Sequence, residues 1–210
     1  MKVVVLGATG GTGRELVKQA LELGHEVSAF VRDPAKLQIQ NEHLRIAKGD
    51  MLDRPSLEAA ISGQDAVMSA LGAYAFFSQT TALSEGTRNI IAAMQATGVK
   101  RLIFETSVGI GDSKNRATWL ERKFFFPVVL KHIFADKEIQ EKLIMGSDLD
   151  WTIVRPARLT HGGRRGKYRI GDEVNEKDVS STISRADTAE FMLRVLSDDS
   201  YIHKAPVISY

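Results

Sequence analysis

The chain has 210 residues, 43% of them hydrophobic and 26% charged, which suits one folded domain with a full core. A formal net charge of +2 is too small to argue for a nucleic-acid partner or a membrane surface. The absence of cysteine excludes disulfides, thiolate catalysis and cysteine-ligated metals, and the five histidines lack metal-ligand spacing, so we expect no metal. Neither a signal peptide nor an apolar run of roughly 20 residues is visible, which favours a cytoplasmic protein without a membrane span.

Apolar runs alternate with helical patterns from the first residues onward. The runs predict strands at residues 3–6, 26–31, 44–48, 66–70, 101–105 and 151–155. Amphipathic patterns between them predict helices near residues 11–23, 55–61, 80–97 and 136–145. This alternation is typical of βαβ units, so we expect an α/β fold with a doubly wound, Rossmann-like parallel sheet, in a single domain over residues 1–210. Such a sheet binds its ligand at the carboxyl ends of the strands.

The last quarter of the chain is less regular. Glycines within residues 162–166 predict a loop, residues 168–174 a strand, and residues 205–209 a short final strand. Ser184 and Asp187 have the spacing of a capping box, so a helix is expected to follow and to extend through residue 196.

A glycine-rich run with GxxGxxG spacing separates the first strand from the first helix. Its members are Gly7, Thr9, Gly10, Gly11, Thr12 and Gly13. Strand, glycine turn and helix in this order are the context of a dinucleotide site. Gly7 permits the tight turn, Gly10 lets the backbone approach a pyrophosphate, and Gly13 lets the helix pack close to the strand. We therefore expect the pyrophosphate at the start of this helix.

Charged side chains after the second strand indicate which dinucleotide binds. NAD-binding folds place an acidic residue there, on the ribose 2′-hydroxyl, but this chain has Arg32. An arginine fork suits a 2′-phosphate, and Lys36 lies one turn further on, so we expect NADP(H) in preference to NAD(H). Two alternatives stay open. Arg32 can be a solvated strand end, and Asp33 can contact a 2′-hydroxyl or begin the next turn.

Further candidates follow the third and fourth strands. Asp50 stands either beside the adenine of the cofactor or in a Gly-Asp turn. Leu71, Gly72 and Ala73 follow the fourth strand, where a small residue lets the cofactor pass close to the backbone.

The ends of the fifth and sixth strands offer candidates for the reacting end of the cofactor. Ser107 can bind a carboxamide or polarise a substrate carbonyl, or it can cap a loop. Pro156 sets a rigid exit from the sixth strand, and Arg158 either points into the cleft toward an acidic substrate or lies exposed. Residues 114–134 combine aromatic and basic side chains, which is compatible with a helical and aromatic lid near 112–135, a dimer contact or a packed helix pair.

Together these motifs resemble the atypical short-chain dehydrogenase/reductase superfamily over essentially the whole chain. The resemblance rests on the glycine turn, on residues 31–33 and 49–50, and on residues 84–90 and 151–156. Residues 63–67, 88–94 and 191–194 are similar to its NAD(P)-binding, nitrogen-repressor-like branch, which includes biliverdin-IXβ reductase, also called NADPH-dependent flavin reductase. The resemblance implies that residues 9–12 hold the pyrophosphate and that further contacts come from Arg32, Lys36, Asp50, Met51, Leu71, Gly72, Ser107 and Pro156.

The superfamily's usual catalytic Tyr-x-x-x-Lys is incomplete in this chain. Lys137 is similar to the lysine of that motif, but Ile133 stands at the tyrosine position, and Arg158 replaces a histidine of the flavin reductases. Without the phenol, alcohol and ketone chemistry lacks its proton donor, whereas flavin or tetrapyrrole reduction can take its proton from solvent.

We therefore expect an NADPH-dependent oxidoreductase that transfers a hydride to a planar aromatic acceptor, namely a flavin, a biliverdin-like tetrapyrrole or a quinone. Its candidate catalytic residues are Ser107, Lys137 and Arg158. The alternative is a non-catalytic, NADP-sensing regulator with a partner surface at residues 124–130. The sequence does not indicate an oligomeric state.

Overall fold

The structure is a computed structural model that describes residues 1–72, 81–111, 113, 131–171 and 182–210, without the side chains of residues 131–133. Ala73 and most of the predicted lid at 112–135 lie outside these described residues. Within the described parts, no helix is long and apolar enough to cross a membrane.

Strands and helices alternate as the sequence predicts. The strands are β1 (Lys2–Leu6), β2 (Glu26–Val31), β3 (Leu44–Lys48), β4 (Ala66–Ser69), β5 (Arg101–Glu105), β6 (Asp150–Pro156), β7 (Arg158–Thr160), β8 (Arg169–Ile170), β9 (Thr182–Ser184) and β10 (Val207–Ser209). The α-helices are α1 (Gly11–Glu22), α2 (Arg54–Ile61), α3 (Ala82–Thr97), α4 (Lys131–Met145) and α5 (Arg185–Arg194). Each end of β1 through β6 agrees with its predicted position to within one residue.

The described strands form an eight-stranded sheet in the order β3-β2-β1-β4-β5-β6-β10-β8. All neighbours are parallel except β10 and β8, which are antiparallel. The order of the first six strands is that of the doubly wound dinucleotide-binding fold, so the predicted fold class is confirmed. The strand order reverses between β1 and β4, and the ligand crevice is expected above the carboxyl ends of these two strands.

Helices cover both faces of this sheet, and β1 shows why its residues form a continuous apolar run. Val3 and Val5 pack into the core on the side of α1 and α5. Val4 and Leu6 pack into the opposite core, with residues of α2 and α3. All four are fully buried, because successive side chains of a strand point to opposite faces and both faces are covered.

The end of the chain departs from the predictions in several places. β7 and β9 pair in parallel as a separate two-stranded sheet that no sequence pattern indicates. Three residues are too few to display an alternating pattern. The strand predicted at 168–174 is observed as β8 alone, with residues 172–174 outside the described part. The helix after Ser184 ends at Arg194 and continues as a 3-10 turn over Val195–Ser197.

The helix predicted to begin at Asp136 begins earlier, at Lys131. Asp136 does cap a helix, but a different one. Its buried carboxylate accepts the backbone N–H groups of Leu83, at 3.1 Å, and Ser84, at 3.2 Å. Leu83 and Ser84 belong to the first turn of α3. Asp136 therefore caps α3 and does not mark the start of α4, the helix in which it lies.

Candidate functional site

The turn between β1 and α1 has a geometry that only glycine permits at two positions. Gly7 has a φ of +78°, and a Cβ added there would lie 2.6 Å from the carbonyl oxygen of Ala70. A Cβ at Gly13 would lie 2.1 Å from the carbonyl oxygen of Gly7, so a side chain would force α1 away from β1. The Gly10 N–H closes the turn by donating to Gly7 O at 2.9 Å. The start of α1 is therefore held close against the end of β1.

Helix α1 begins without a cap. Its N-cap residue, Gly10, offers no side-chain acceptor, and its first turn contains no acidic residue. In the described part of the chain, the backbone N–H groups of Gly11, Thr12 and Gly13 donate to no protein acceptor. Three available donors at the positive end of a helix dipole fit an anionic diphosphate. The geometry thus suits the dinucleotide that the sequence predicts.

A cleft opens beside this turn, at the carboxyl ends of β1, β2 and β4. Its lining includes five predicted cofactor residues: Gly7, Thr9, Arg32, Met51 and Leu71. Gly72 is exposed next to Leu71, and the adjoining Ala73 lies outside the described residues. The cleft therefore brings together predicted residues from four separate segments of the chain.

The turn after β2 has its own internal contacts. Asp33 Oδ1 accepts the Ala35 N–H at 3.1 Å and so caps a 3-10 turn at Pro34–Lys36. Lys36 Nζ lies 3.8 Å from Asp33 Oδ2, and both side chains are exposed. Of the two alternatives for Asp33, the turn is the one present. Arg14, from the first turn of α1, donates to the Lys36 carbonyl oxygen at 2.8 Å and ties this turn to the glycine-rich helix.

The side of the cleft expected to hold adenine depends on α3. Asp50 Oδ1 accepts the Leu52 N–H at 2.9 Å, so Asp50 forms a turn beside the cleft. A Cβ built at Gly86 would lie only 2.7 Å from the sulfur of Met51, so Met51 packs directly against this glycine. Asn89 Nδ2 also donates to Met51 O at 3.1 Å. Residues 84–90, which carry part of the family resemblance, therefore fix the position of Met51.

The carboxyl end of β5 gathers three more predicted residues. Lys137 reaches across from α4, and its Nζ donates to Thr106 O at 2.8 Å, one residue before Ser107. The Ser107 hydroxyl donates locally to Val108 O at 3.1 Å, and the Val108 N–H donates to Pro156 O at 3.0 Å. Ser107, Lys137 and Pro156 thus border one loop. Burial lowers the pKa of Lys137 below its ordinary range, although the carboxylates of Glu105 and Glu141 act in the opposite direction.

Arg158 is not brought into contact with these residues in the described structure. It is exposed in β7, in register with Thr182 of β9. Of its two predicted alternatives, the exposed one is observed. No cluster of three or more potential metal ligands occurs among the described residues.

Glu105, the last residue of β5, has a role that the sequence did not suggest. Its side chain is buried beneath the start of α1, and its Oε1 accepts the Thr12 hydroxyl at 3.1 Å. Burial raises the pKa of Glu105 to about 7, and the charges of Lys137 and Arg185 together with the Thr12 hydrogen bond only partly oppose that shift. A titratable carboxyl group therefore lies directly below the expected diphosphate position.

A second buried carboxylate is fully paired. Glu141 Oε2 lies 2.7 Å from Arg155 Nη2, and its Oε1 accepts Arg155 Nε at 3.1 Å. The same Oε1 accepts the Thr106 hydroxyl at 2.6 Å. Only 2% and 3% of the Arg155 and Glu141 side chains are exposed, so this pair joins α4, β6 and the end of β5 in the protein interior.

One sequence signal could have pointed to both carboxylate systems. Glu105 and Arg155 are charged residues that directly follow the apolar runs at 102–104 and 153–154. A charge at such a position is rarely buried without a partner, so it indicates either a site or an internal ion pair.

A sequence profile described as NAD(P)H-binding matches residues 7–199. The chain belongs to this NAD(P)H-binding family. The predicted membership of the atypical short-chain dehydrogenase/reductase group is thereby confirmed. Among relatives, the uncharacterized protein YwnB of Bacillus subtilis is 30% identical, over 90% of this chain and 89% of its own length.

Two longer relatives carry descriptive names. The 2-alkyl-3-oxoalkanoate reductase of Stenotrophomonas maltophilia is 32% identical over 91% of this chain and 64% of its own length. Photosystem II assembly factor Ycf39 of Synechocystis is 29% identical over 99% of this chain and 62% of its own length. The chain thus spans less than two thirds of either protein.

Solved structures have the same fold. A Rossmann-fold NAD(P)-binding family protein from Shigella flexneri superimposes with a TM-score of 0.76 at 27% identity, covering 99% of this chain and 92% of the other. ChuY, an anaerobilin reductase from Escherichia coli O157:H7, gives a TM-score of 0.82 at 22% identity, over 100% and 97%. A short-chain dehydrogenase/reductase from Veillonella parvula in complex with NADP gives 0.80 at 15% identity, over 100% and 94%. The last two similarities are of fold alone.

Proposed function

We propose that this protein is an NADPH-dependent reductase that transfers a hydride to a planar acceptor, namely a flavin, a tetrapyrrole of the biliverdin kind or a quinone. One observation carries the proposal. The uncapped start of α1 and the adjoining cleft fit a dinucleotide, and Lys137 lies next to Ser107 at the end of β5. Isoleucine occupies position 133, where the superfamily has its proton-donating tyrosine. The site thus supports hydride transfer without a phenol to protonate an alkoxide.

On this proposal each group of residues has a separate task toward the cofactor. The free N–H groups at residues 11–13 bind the diphosphate. Arg32 and Lys36, at the end of β2, bind the 2′-phosphate, which favours NADP(H) over NAD(H). Met51 borders the adenine, whereas Leu71 and Pro156 lie along the nicotinamide side of the cofactor.

The residues at the end of β5 act on the acceptor. The bound nicotinamide supplies the hydride. Ser107 orients a carbonyl or carboxamide oxygen by donating its hydroxyl hydrogen. Lys137 holds the loop before Ser107 through Thr106 O, and its lowered pKa makes its ammonium group a better proton donor than an ordinary lysine.

The comparisons agree with the proposal in kind. One relative is named a reductase, one structural neighbour is described as an anaerobilin reductase, and another was solved with NADP. Each of these statements concerns that other protein. They support the reaction class, a tetrapyrrole acceptor and NADP, respectively, as the first possibilities to test.

The test is NADPH oxidation followed by absorbance, with FMN, a quinone and biliverdin offered in parallel. We expect turnover with at least one acceptor. We expect Arg32→Ala to raise KM for NADPH about 10- to 100-fold, the effect of losing a charge-assisted hydrogen bond, and to leave NADH kinetics unchanged. Arg45→Ala is the matched control, because Arg45 is an exposed arginine of β3 that does not line the cleft. Tight NADPH binding without turnover on any acceptor would refute the reductase proposal.

That outcome would favour a second candidate function, a cofactor-binding regulator or assembly protein. Isoleucine at position 133 supports it equally well, and one relative is named an assembly factor. Charge reversal at Lys123 and Lys131, next to residues 124–130, would then weaken binding to a protein partner without changing the affinity for NADP.

A further inference from the structure

We propose that Arg185 is a diphosphate ligand of the dinucleotide, reaching the start of α1 from a different helix. The inference rests on the proposed cofactor site and adds a residue to it. Arg185 is the first residue of α5, which packs against α1. Its side chain lies on Gly11, because a Cβ built at Gly11 would be 2.4 Å from Arg185 Cδ and 2.5 Å from Arg185 Nε. The guanidinium therefore stands beside the free N–H groups that open α1.

The position of Arg185 is fixed by contacts on either side of it. The preceding residue, Ser184, caps α5 by accepting the Asp187 N–H at 3.0 Å. The following residue, Ala186, accepts a hydrogen bond from Gln19 Nε2 of α1 at 3.0 Å. These buried contacts hold the start of α5 against α1. The backbone of Arg185 is thus positioned without any help from its own side chain.

The side chain of Arg185 has an unused donor. Its Nη1 is buried and forms no hydrogen bond, and no ion pair joins Arg185 to a carboxylate among the described residues. A buried cationic donor without an acceptor is unfavourable, so the arrangement is expected to be completed by an anion. Glu105 attracts the guanidinium from below, but it does so without forming an ion pair. A phosphate oxygen above Gly11 would supply the missing acceptor, and the planar fork of arginine suits phosphate.

This assignment separates Arg185 from Arg32. Arg32 follows β2 and faces the part of the cofactor where NADP and NAD differ. Arg185 faces the start of α1, where both dinucleotides carry the same diphosphate. Loss of Arg185 should therefore weaken both dinucleotides by the same factor, whereas loss of Arg32 should weaken NADP alone. A ligand that has the 2′-phosphate but no diphosphate, such as 2′-AMP, should not respond to Arg185.

The experiment is calorimetric titration of wild type, Arg185→Ala and Arg194→Ala with NADP⁺, NAD⁺ and 2′-AMP, together with the melting temperature of each protein. Arg194 is the matched control because it is the arginine at the opposite end of the same helix. We expect Arg185→Ala to raise Kd about 10- to 100-fold for NADP⁺ and NAD⁺ alike, and to leave the Kd for 2′-AMP within about twofold. Arg194→Ala should leave all three constants within about twofold.

Arg185→Gln provides a second variant that keeps most of the side-chain stem against Gly11, in case the alanine variant folds poorly. It should show the same equal loss for both dinucleotides. The proposal is overturned if wild type binds NADP⁺ and either folded variant binds it equally well, or if the loss is confined to NADP⁺ or extends to 2′-AMP. If wild type binds neither dinucleotide, the proposed cofactor function itself fails, and the two failures are thereby distinguished.

Discussion

Glu105 offers the sharpest test of the electrostatics of this site, through the pH dependence of folding stability. Glu105 as a whole residue is only 7% exposed, and its carboxyl group accepts a hydrogen bond from the Thr12 hydroxyl. Burial raises its pKa from 4.5 to about 7, which means that the protonated form fits the folded protein better than the carboxylate does. Glu105→Gln removes this titration and keeps an oxygen that can accept from Thr12.

The expected size follows from the difference between the two pKa values. Between pH 4.5 and pH 7 the folded state binds more protons at Glu105 than the unfolded state, so the free energy of unfolding falls as the pH rises. A difference of about 2.5 pKa units corresponds to about 3 kcal/mol, all of it lost once the pH is above 7. The Glu105→Gln variant lacks this loss. Its stability relative to wild type should therefore increase by about 3 kcal/mol from acidic pH to pH 8.

The assay is urea denaturation of wild type and Glu105→Gln at intervals from pH 4.5 to pH 8. The pH dependence of the difference is diagnostic, because any packing cost of the buried amide is the same at every pH. Glu22→Gln, which removes an exposed carboxylate at the end of α1, controls for the loss of one charge. A stability difference between wild type and Glu105→Gln that stays constant over this range would refute the reasoning.

Two further predictions concern Glu105 and the buried Glu141–Arg155 ion pair. An added diphosphate should disfavour the Glu105 carboxylate, so from pH 6 to pH 8 the affinity of wild type for NADP⁺ should fall relative to that of Glu105→Gln, with extra proton uptake by wild type near pH 7. The 2′-phosphate of NADP⁺, which titrates at about pH 6, affects both proteins alike, so the comparison isolates Glu105. Calorimetry in buffers of different ionisation enthalpy measures both quantities, and an equal pH dependence in the two proteins would exclude Glu105 as the cause. Glu141→Gln should lower the free energy of unfolding by about 3–5 kcal/mol, because it leaves the buried Arg155 cation without its carboxylate; urea denaturation at pH 7 measures this, and a loss below about 1 kcal/mol would mean that water or another group compensates the charge.

The sheet was largely predictable because most of its strands are recognisable as apolar runs in the sequence. Residues 3–6 of β1, 27–31 of β2 and 102–104 of β5 are buried on both faces, and all of them except Ser28 are apolar, so each strand is visible as an apolar run. The small sheet of β7 and β9 was not predictable, since two three-residue strands leave no periodic signal. The start of α4 was misplaced for another reason. Asp136 is a good capping residue, but only the tertiary structure reveals that it caps α3.

The candidate site divides in the same way. The turn formed by Gly7 and Gly13, and a cleft beside it lined by Arg32, could be predicted from sequence because a strand, a glycine turn and a strand end are local signals with a known place in this fold. Glu105 and Arg185 could not, because each acts on a residue far away in the chain. The hydrogen bond from Thr12 to Glu105 spans 93 residues, and Arg185 meets Gly11 only because α5 docks on α1. Such pairs depend on strand order and helix packing, which a single sequence does not display.

Charge placement around α1 explains why these distant residues matter together. The helix presents three N–H groups that have no acceptor among the described residues, with Glu105 below them and Arg185 beside them. Before an anion binds, the buried Glu105 carboxyl group is linked to this positive end by the Thr12 hydrogen bond, and burial raises its pKa. An entering diphosphate would take over the N–H groups and the free Nη1 of Arg185, and it would favour protonation of Glu105. On this view the shared part of the cofactor is held by groups from α1 and α5, and the choice between NADP and NAD is left to Arg32. Arg32→Ala should therefore change the preference between the two dinucleotides, whereas Arg185→Ala should weaken both and leave the preference unchanged.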